Sequence, residues 1–106
     1  MPPVLTVIRW RDIPAQVVAR DGRRAAKAML PEAFGAAIDR AAMRAGLTTD
    51  DAYVAEWTSD REPCDEDLDA AVGERARQLE AAYPHDVLEE LVANMGWREP
   101  PGSSTA

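Results

Sequence analysis

The first 22 residues contain two short stretches of β-strand character, and helical patterns begin only after residue 30. Val4 to Arg11 (VLTVIRWR) is rich in β-branched residues, and AQVVARDG ends at the turn signal Asp21-Gly22. Pro14 lies between them and cannot donate to a ladder, so it predicts the turn. These features predict a β-hairpin. AAKAML (25–30) is a weaker candidate for a third strand because alanine is a poor strand former.

Three later segments have helical patterns. PEAFGAAIDRAAMRAG (31–46) begins with a proline suited to the first helical position and ends at a glycine suited to the cap. DEDLDAAVGERARQLEAAY (65–83) has acidic residues near its positive end, and HDVLEELVANMG (85–96) is shorter. The expected buried positions recur at three- and four-residue steps: Phe34, Ile38, Ala41 and Ala45 in the first helix, and Leu68, Val72, Ala76, Leu79 and Tyr83 in the second.

The segment DAYVAEWTSD (51–60) fits two structures. Alternation groups Tyr53 with Trp57 on one side of a strand, yet the same two residues are i, i+4 neighbours on a helix. We expect a strand, because Gly46 and the paired threonines after it end the preceding helix.

The element order β-β-(β)-α-β-α-α is typical of a two-layer α+β domain, with a small, mostly antiparallel sheet packed against helices. A chain of 106 residues has enough apolar surface for one core. We therefore predict a single domain over residues 1–98 and a disordered, proline-bearing tail over 99–106.

Composition excludes several classes of protein. Cys64 and His85 are the only cysteine and histidine, too few for an internal disulfide or a structural zinc site. The acidic run CDEDLD (64–69) lacks the spacing of a calcium loop and is explained by capping of the following helix. No cofactor is expected.

The apolar runs are too short for a membrane span and the N-terminus lacks a signal-peptide pattern, so we expect a cytoplasmic protein without membrane association.

Charge is distributed unevenly along the chain, whose net charge is −7. The first 30 residues carry six basic and two acidic side chains, whereas the remainder carries six basic and 17 acidic ones. On a strand, Arg9 and Arg11 emerge on one side about 7 Å apart, a spacing that suits a carboxylate or phosphate. The predicted partner- or anion-binding residues are Arg9, Arg11, Arg20, Arg23, Arg24 and Lys27.

Other interpretations of the basic region remain open. The arginines can instead pair with the acidic helices of the same chain, and Trp10 points the other way, toward the core. Nucleic acid is not expected as a partner, because the acidic remainder would repel a phosphate backbone and no nucleic-acid-binding motif is present.

Four segments, IRWRDIPAQV, LPEAFGAAIDRAAMRAG, DAYVAEW and the closing acidic helices, resemble the small bacterial family called "virulence factor". The resemblance covers roughly residues 4 to 96. The domain also occurs within the longer, HEAT-repeat-bearing conserved virulence factor C proteins, whose repeats are missing here. The family has no assigned active-site residues to carry over. Stand-alone members resemble proteins that accompany folate and corrinoid one-carbon enzymes, methylenetetrahydrofolate reductase among them.

Residues and resemblance together favour a non-catalytic accessory or interaction protein, and the resemblance implies an association with one-carbon (methyl-transfer) enzymes. The expected contact surface is the Arg9/Arg11 face, extended by the other basic residues of the hairpin, with an acidic protein as partner. The alternative is a small enzyme or ligand-binding protein in which the same arginines hold a polyanion such as folate or a nucleotide.

Overall fold

The computed structural model describes residues 2–47 and 49–98, and the predicted tail therefore lies outside the described residues. Within these ranges the expected α+β class with its antiparallel sheet is confirmed, including the third strand, and the element order differs from the prediction by one short added helix, α2. The elements are β1 (Val4–Trp10), β2 (Ile13–Asp21), β3 (Arg24–Met29), α1 (Glu32–Arg44), α2 (Asp50–Val54), β4 (Trp57–Pro63), α3 (Leu68–Ala82) and α4 (His85–Ala93).

The four strands form one antiparallel sheet in the order β3-β2-β1-β4. The first three strands form consecutive hairpins, whereas β4 returns after α1 and α2 to pair with β1. β1 and β2 are therefore the central strands, and β3 and β4 are the two edges.

The first turn lies at Arg11 and Asp12, not at Pro14 as the sequence predicts. Pro14 is a buried residue of β2, opposite Arg9, next to an irregularity that leaves Ala15 as an extra residue. A proline is tolerated beside a bulge because the ladder is already interrupted there. Arg11 takes a positive φ of 53°, and its amide donates to the carbonyl of Glu56 at 3.1 Å.

The strand expected over residues 51–60 is wrong for its first half. α2 covers Asp50–Val54, and β4 begins only at Trp57. The Thr49 side chain accepts a hydrogen bond from the Ala52 amide, and two aspartates occupy the first turn, so local capping stabilises a short helix there. Tyr53 consequently lies on the helix.

The core lies between the helices and one face of the sheet. The apolar side chains of β1 and β2 on this face are buried, as are the predicted residues of α3. Trp10 is completely buried, as expected, and its indole Nε1 donates to the carbonyl of Tyr53 at 3.0 Å. The buried positions are Leu5, Val7, Val17 and Ala19 in the sheet, Phe34, Ile38 and Ala41 in α1, and Leu68, Val72, Ala76 and Leu79 in α3, with Tyr83 following it.

The opposite face of the sheet is uncovered along most of its length. Trp10 and its neighbour Ile13 lie at the end of this face next to the first turn and are buried, but none of the twelve residues that alternation and register place along the rest of it is buried. We call this surface the open face, and it consists of Val4, Thr6, Ile8, Gln16, Val18, Arg20, Ala25, Lys27, Met29, Ser59, Arg61 and Pro63.

Candidate functional site

The six predicted binding residues do not come together on one surface. Arg9 and Arg11 lie at the end of β1, beside the first turn. Arg20, Arg23 and Arg24 lie at the opposite end of the sheet, around the β2–β3 turn, and Lys27 lies midway along β3. The six-residue separation between Pro14, opposite Arg9, and Arg20 corresponds to about 20 Å along β2.

Arg9 points toward the helices and is paired within the chain. Its Nε donates to Asp60 Oδ2 at 2.8 Å, and its Nη1 donates to the Tyr83 hydroxyl at 3.3 Å. Burial by itself would lower the pKa of Arg9, but the hydrogen bonds and the charges of these two partners raise it above the ordinary value. Arg9 therefore connects β1, β4 and the end of α3.

Arg11 is held more tightly, with only 10% of its side chain exposed. Its Nη2 donates to Glu56 Oε1 at 3.2 Å, and its Nη1 donates to the Met95 carbonyl at 2.7 Å. The guanidinium carbon lies 5.1 Å from the centroid of the Trp10 ring and 5.0 Å from that of Trp97. These contacts fasten the segment after α4 to the first turn of the sheet.

Arg9 and Arg11 border a concavity of about 470 Å³, to which Arg98 contributes a third guanidinium. Three carboxylates also border it, and two of them already accept hydrogen bonds from Arg9 and Arg11. The third, Asp12, accepts a hydrogen bond from the Arg98 amide at 2.6 Å. With charges balanced, a polyanion gains little net attraction here. Ligand binding at this concavity stays a prediction.

The cations of the open face are arranged differently. None of the ion pairs among residues 2–47 and 49–98 involves Arg20, Lys27 or Arg61. The register places Lys27, Val18, Thr6 and Arg61 in one row across the four strands. Arg20 is the diagonal neighbour of Lys27, at about 7 Å.

The open face carries no aspartate or glutamate among its twelve residues. Its other side chains include Val4, Ile8, Val18 and Met29, of which Met29 is 64% exposed. The surface is thus both basic and apolar, in a chain whose net charge is −7. Arg61 was not among the predicted binding residues, because no strand was predicted beyond residue 60. The signal that could have identified it is the alternating pattern, which continues through TSDREP.

An apolar groove of about 950 Å³ adjoins the open face at Met29. It is bounded by the start of α1, the end of β3, α2 and the first residue of β4, with Pro31, Ala36, Tyr53 and Trp57 among its lining. Burial, and to a lesser degree the charge of Asp39, raises the pKa of the Tyr53 hydroxyl. The groove therefore presents a neutral phenol among mainly apolar side chains, with Glu32 and Asp39 also part of its lining.

The remaining basic residues of the β2–β3 hairpin belong to neither concavity. Arg24 donates to the carbonyl of Glu66, which ties the hairpin to the segment before α3. Arg23 is an exposed residue of the turn.

The residues that the structure describes include no group of three or more histidine, cysteine, aspartate or glutamate side chains placed to hold a metal ion. In the acidic run before α3, Asp67 accepts a hydrogen bond from the Ala70 amide at 3.1 Å and acts as the N-cap. Desolvation, followed by the charges of Asp65, Asp21 and Glu62, raises the pKa of the Cys64 thiol, which opposes a nucleophilic role. Among the described residues, no helix has the length and apolar character needed to cross a membrane.

A protein-family model described as "Virulence factor" matches residues 8–92, most of the chain. No curated protein and no solved structure shows significant similarity to this chain. The matched range contains the whole groove and all of the charged residues of the open face.

Proposed function

The chain belongs to the virulence factor family, and from this premise we propose that it is a non-catalytic interaction module that binds an acidic protein partner on the open face. One observation carries the proposal: Arg20, Lys27 and Arg61 form no ion pair within the described residues, whereas Arg9 and Arg11 do. Unpaired cations around exposed apolar side chains are suited to a partner that brings both carboxylates and apolar groups.

The negative net charge of the chain does not prevent this association. At physiological ionic strength the Debye length is about 8 Å, so a partner docked on the open face responds mainly to nearby charges. The twelve residues of that face contribute three positive charges and no negative one. Steering by distant acidic helices is screened, while contact with the sheet is favourable.

The adjoining groove extends the apolar part of the surface. Met29 belongs to both, so one partner can place acidic residues over Lys27 and an apolar side chain in the groove without a gap between them. Such a combination of a charged rim and an apolar anchor is common in protein interfaces.

The identity of the partner is also part of the proposal. The family resemblance points to enzymes of folate or corrinoid one-carbon metabolism, so methylenetetrahydrofolate reductase is the first purified protein to test. The protein would act in the cytoplasm, as an accessory to such an enzyme.

The test compares two charge reversals of equal size. Lys27→Glu changes the open face, whereas Arg77→Glu changes an exposed position on α3 that forms no salt bridge among the described residues. Tagged protein is used to capture partners at low salt from a lysate of the organism that encodes it. The affinity of each purified candidate is then measured by calorimetry.

We expect Lys27→Glu to weaken binding of the true partner about tenfold, equivalent to about 1.4 kcal/mol, and Arg77→Glu to leave it nearly unchanged. Circular dichroism confirms that both variants are folded. A partner that binds both variants equally well, or the absence of any acidic partner, would overturn the proposal.

A further inference from the structure

We propose that the acidic partner is bound as an added β-strand along the free edge of β3, an inference that rests on the proposed function. The first observation is the direction of the backbone groups. Leu30 donates its amide inward to the carbonyl of Ala15 at 3.2 Å, and hydrogen-bonded residues alternate in an antiparallel pair. Ala28, Ala26 and Arg24 therefore bond inward to β2, whereas Ala25, Lys27 and Met29 direct their amides and carbonyls outward.

Within residues 2–47 and 49–98 these outward groups have no partner. Among the described residues, no backbone or side-chain hydrogen bond outside the β2–β3 ladder reaches Ala25, Lys27 or Met29. Neither α3, which packs beneath the sheet, nor any other described element covers this edge with hydrogen-bonding groups. An unpaired strand edge is a template for an extended peptide, which gains main-chain hydrogen bonds along it.

The other edge of the sheet is protected by its sequence. β4 reads WTSDREP: it carries Asp60, Arg61 and Glu62 in succession and ends at Pro63, and such residues discourage pairing. β3 reads RAAKAM, in which three alanines leave room for the side chains of a neighbouring strand. The two edges therefore differ in their capacity to accept another strand.

The positive charge of β3 determines which kind of peptide strand can pair with it. Arg24 and Lys27 are the only charged residues of β3, and both are cationic. Two copies paired edge to edge would bring four positive charges together, which is destabilising. An extended segment with glutamate or aspartate at alternate positions would instead place its carboxylates on the open face, beside Lys27 and Arg20. The occupant is thus an acidic peptide segment and not a second copy of the chain.

The groove gives such a strand an end point. β3 ends at Met29, where the apolar groove begins. The terminal side chains of a segment paired along β3 would therefore lie at the groove. An apolar residue at that end of the peptide would be removed from water between Met29 and Pro31.

The test uses an eight-residue peptide in which glutamate and valine alternate, and a matched peptide with lysine in place of glutamate. Binding is followed by nuclear magnetic resonance on the full chain. At a free peptide concentration ten times the dissociation constant, we expect exchange of the amides of Ala25, Lys27 and Met29 with solvent to slow about tenfold. The lysine peptide should not bind measurably.

A pair of variants isolates the backbone contribution. Ala25→Pro removes an outward amide and places the proline ring on the free edge, without changing charge or an inward hydrogen bond. Ala25→Thr is the control, because it keeps the amide. We expect Ala25→Pro to weaken binding of the glutamate peptide at least tenfold and Ala25→Thr to change it less than twofold. If Ala25→Pro does not fold, the exchange measurement on the unaltered protein decides.

The outcomes separate the two proposals. Glutamate-peptide binding that Lys27→Glu weakens, without slower exchange at the three amides, would overturn strand addition and leave the open face as a binding surface. Binding of both peptides with equal affinity, or of neither, would overturn both proposals.

Discussion

Gly96 lies directly against the indole ring of Trp10. A Cβ at position 96 would stand 2.8 Å from Trp10 Cζ3, closer than carbon atoms approach in folded proteins, and the φ of Gly96 is +94°. The amide of Asp12 donates to the Gly96 carbonyl at 2.8 Å. The segment after α4 thus closes over the completely buried Trp10, and it does so through a residue without a side chain.

Substitution of Gly96 by alanine should therefore be among the most destabilising changes in the chain. We expect Gly96→Ala to lower the free energy of unfolding by about 3 kcal/mol, since it combines overpacking with an unfavourable φ. Urea denaturation followed by circular dichroism measures this loss. Gly46→Ala is the control, because Gly46 also has a positive φ of 74° but no atom within 4 Å of the added Cβ. It should cost about 1 kcal/mol, and equal losses would contradict the packing argument.

Arg11 and Arg9 should differ in their contributions to stability. We expect Arg11→Ala to lower the free energy of unfolding by about 2 kcal/mol, because it removes two hydrogen bonds and two cation–π contacts from a side chain that is only 10% exposed. Arg9→Ala should cost about 1 kcal/mol, since its partner Asp60 is 68% exposed and well solvated. Thermal and urea unfolding of both variants checks the order. An Arg11→Ala protein as stable as the unaltered chain would show that the tryptophan contacts contribute nothing.

The Cys64 thiol should be a slow nucleophile near neutral pH. Its pKa is raised above the ordinary value of 9.0 by desolvation and then by the nearby carboxylates. Less thiolate is therefore present at pH 8 than in a free cysteine, and alkylation by iodoacetamide should be slower. Mass spectrometry of the alkylated fraction between pH 7 and 10 gives the midpoint. Asp65→Asn should lower that midpoint, and a midpoint below that of free cysteine would contradict the prediction.

The ion pair between Arg40 on α1 and Glu89 on α4 should lower the measured pKa of the Glu89 carboxyl. Both oxygens of Glu89 accept hydrogen bonds from Arg40, at 2.8 and 2.9 Å, and these bonds lower the pKa of Glu89 below its ordinary value of 4.5. Because the pKa is lowered by folding, the stabilisation is complete above pH 4.5 and is lost as the pH falls through the folded-state value.

Carbon-detected nuclear magnetic resonance of the Glu89 carboxyl measures this pKa directly. Arg40→Ala should return it toward 4.5 while changing overall stability little, because both side chains are exposed to solvent. An unchanged pKa in Arg40→Ala would show that another group, such as His85 at 3.8 Å, lowers it.

The elements could be predicted wherever one local signal dominated. Alternation in β1 correctly placed Leu5, Val7 and Arg9 toward one side, and the periodic apolar residues of α3 are buried as expected. Prediction was wrong at Pro14 and at Tyr53. In the first case a bulge accommodates the proline, and in the second a threonine cap stabilises a short helix that alternation does not reveal.

The candidate binding site could be predicted only in part. The sequence pointed to Arg20 and Lys27 as binding residues, but it grouped them with Arg9 and Arg11, which are near in the sequence and lie at the other end of the sheet. Arg61 joins them only because β4 pairs with β1, which places Arg61 opposite Thr6, a residue far away in the sequence. No local pattern encodes that pairing.

The amino-acid sequence by itself determined the two-layer α+β class, the helices and most of the buried positions, because hydrophobic period and capping act within a few residues of the chain. Only the tertiary structure decided which cations are neutralised. Glu56 and Asp60 reach Arg11 and Arg9 because β4 lies beside β1, while the same pairing leaves Arg20, Lys27 and Arg61 on a face without carboxylates. Charge pairing depends on distances between strands, and those distances are set by the packing of the whole sheet.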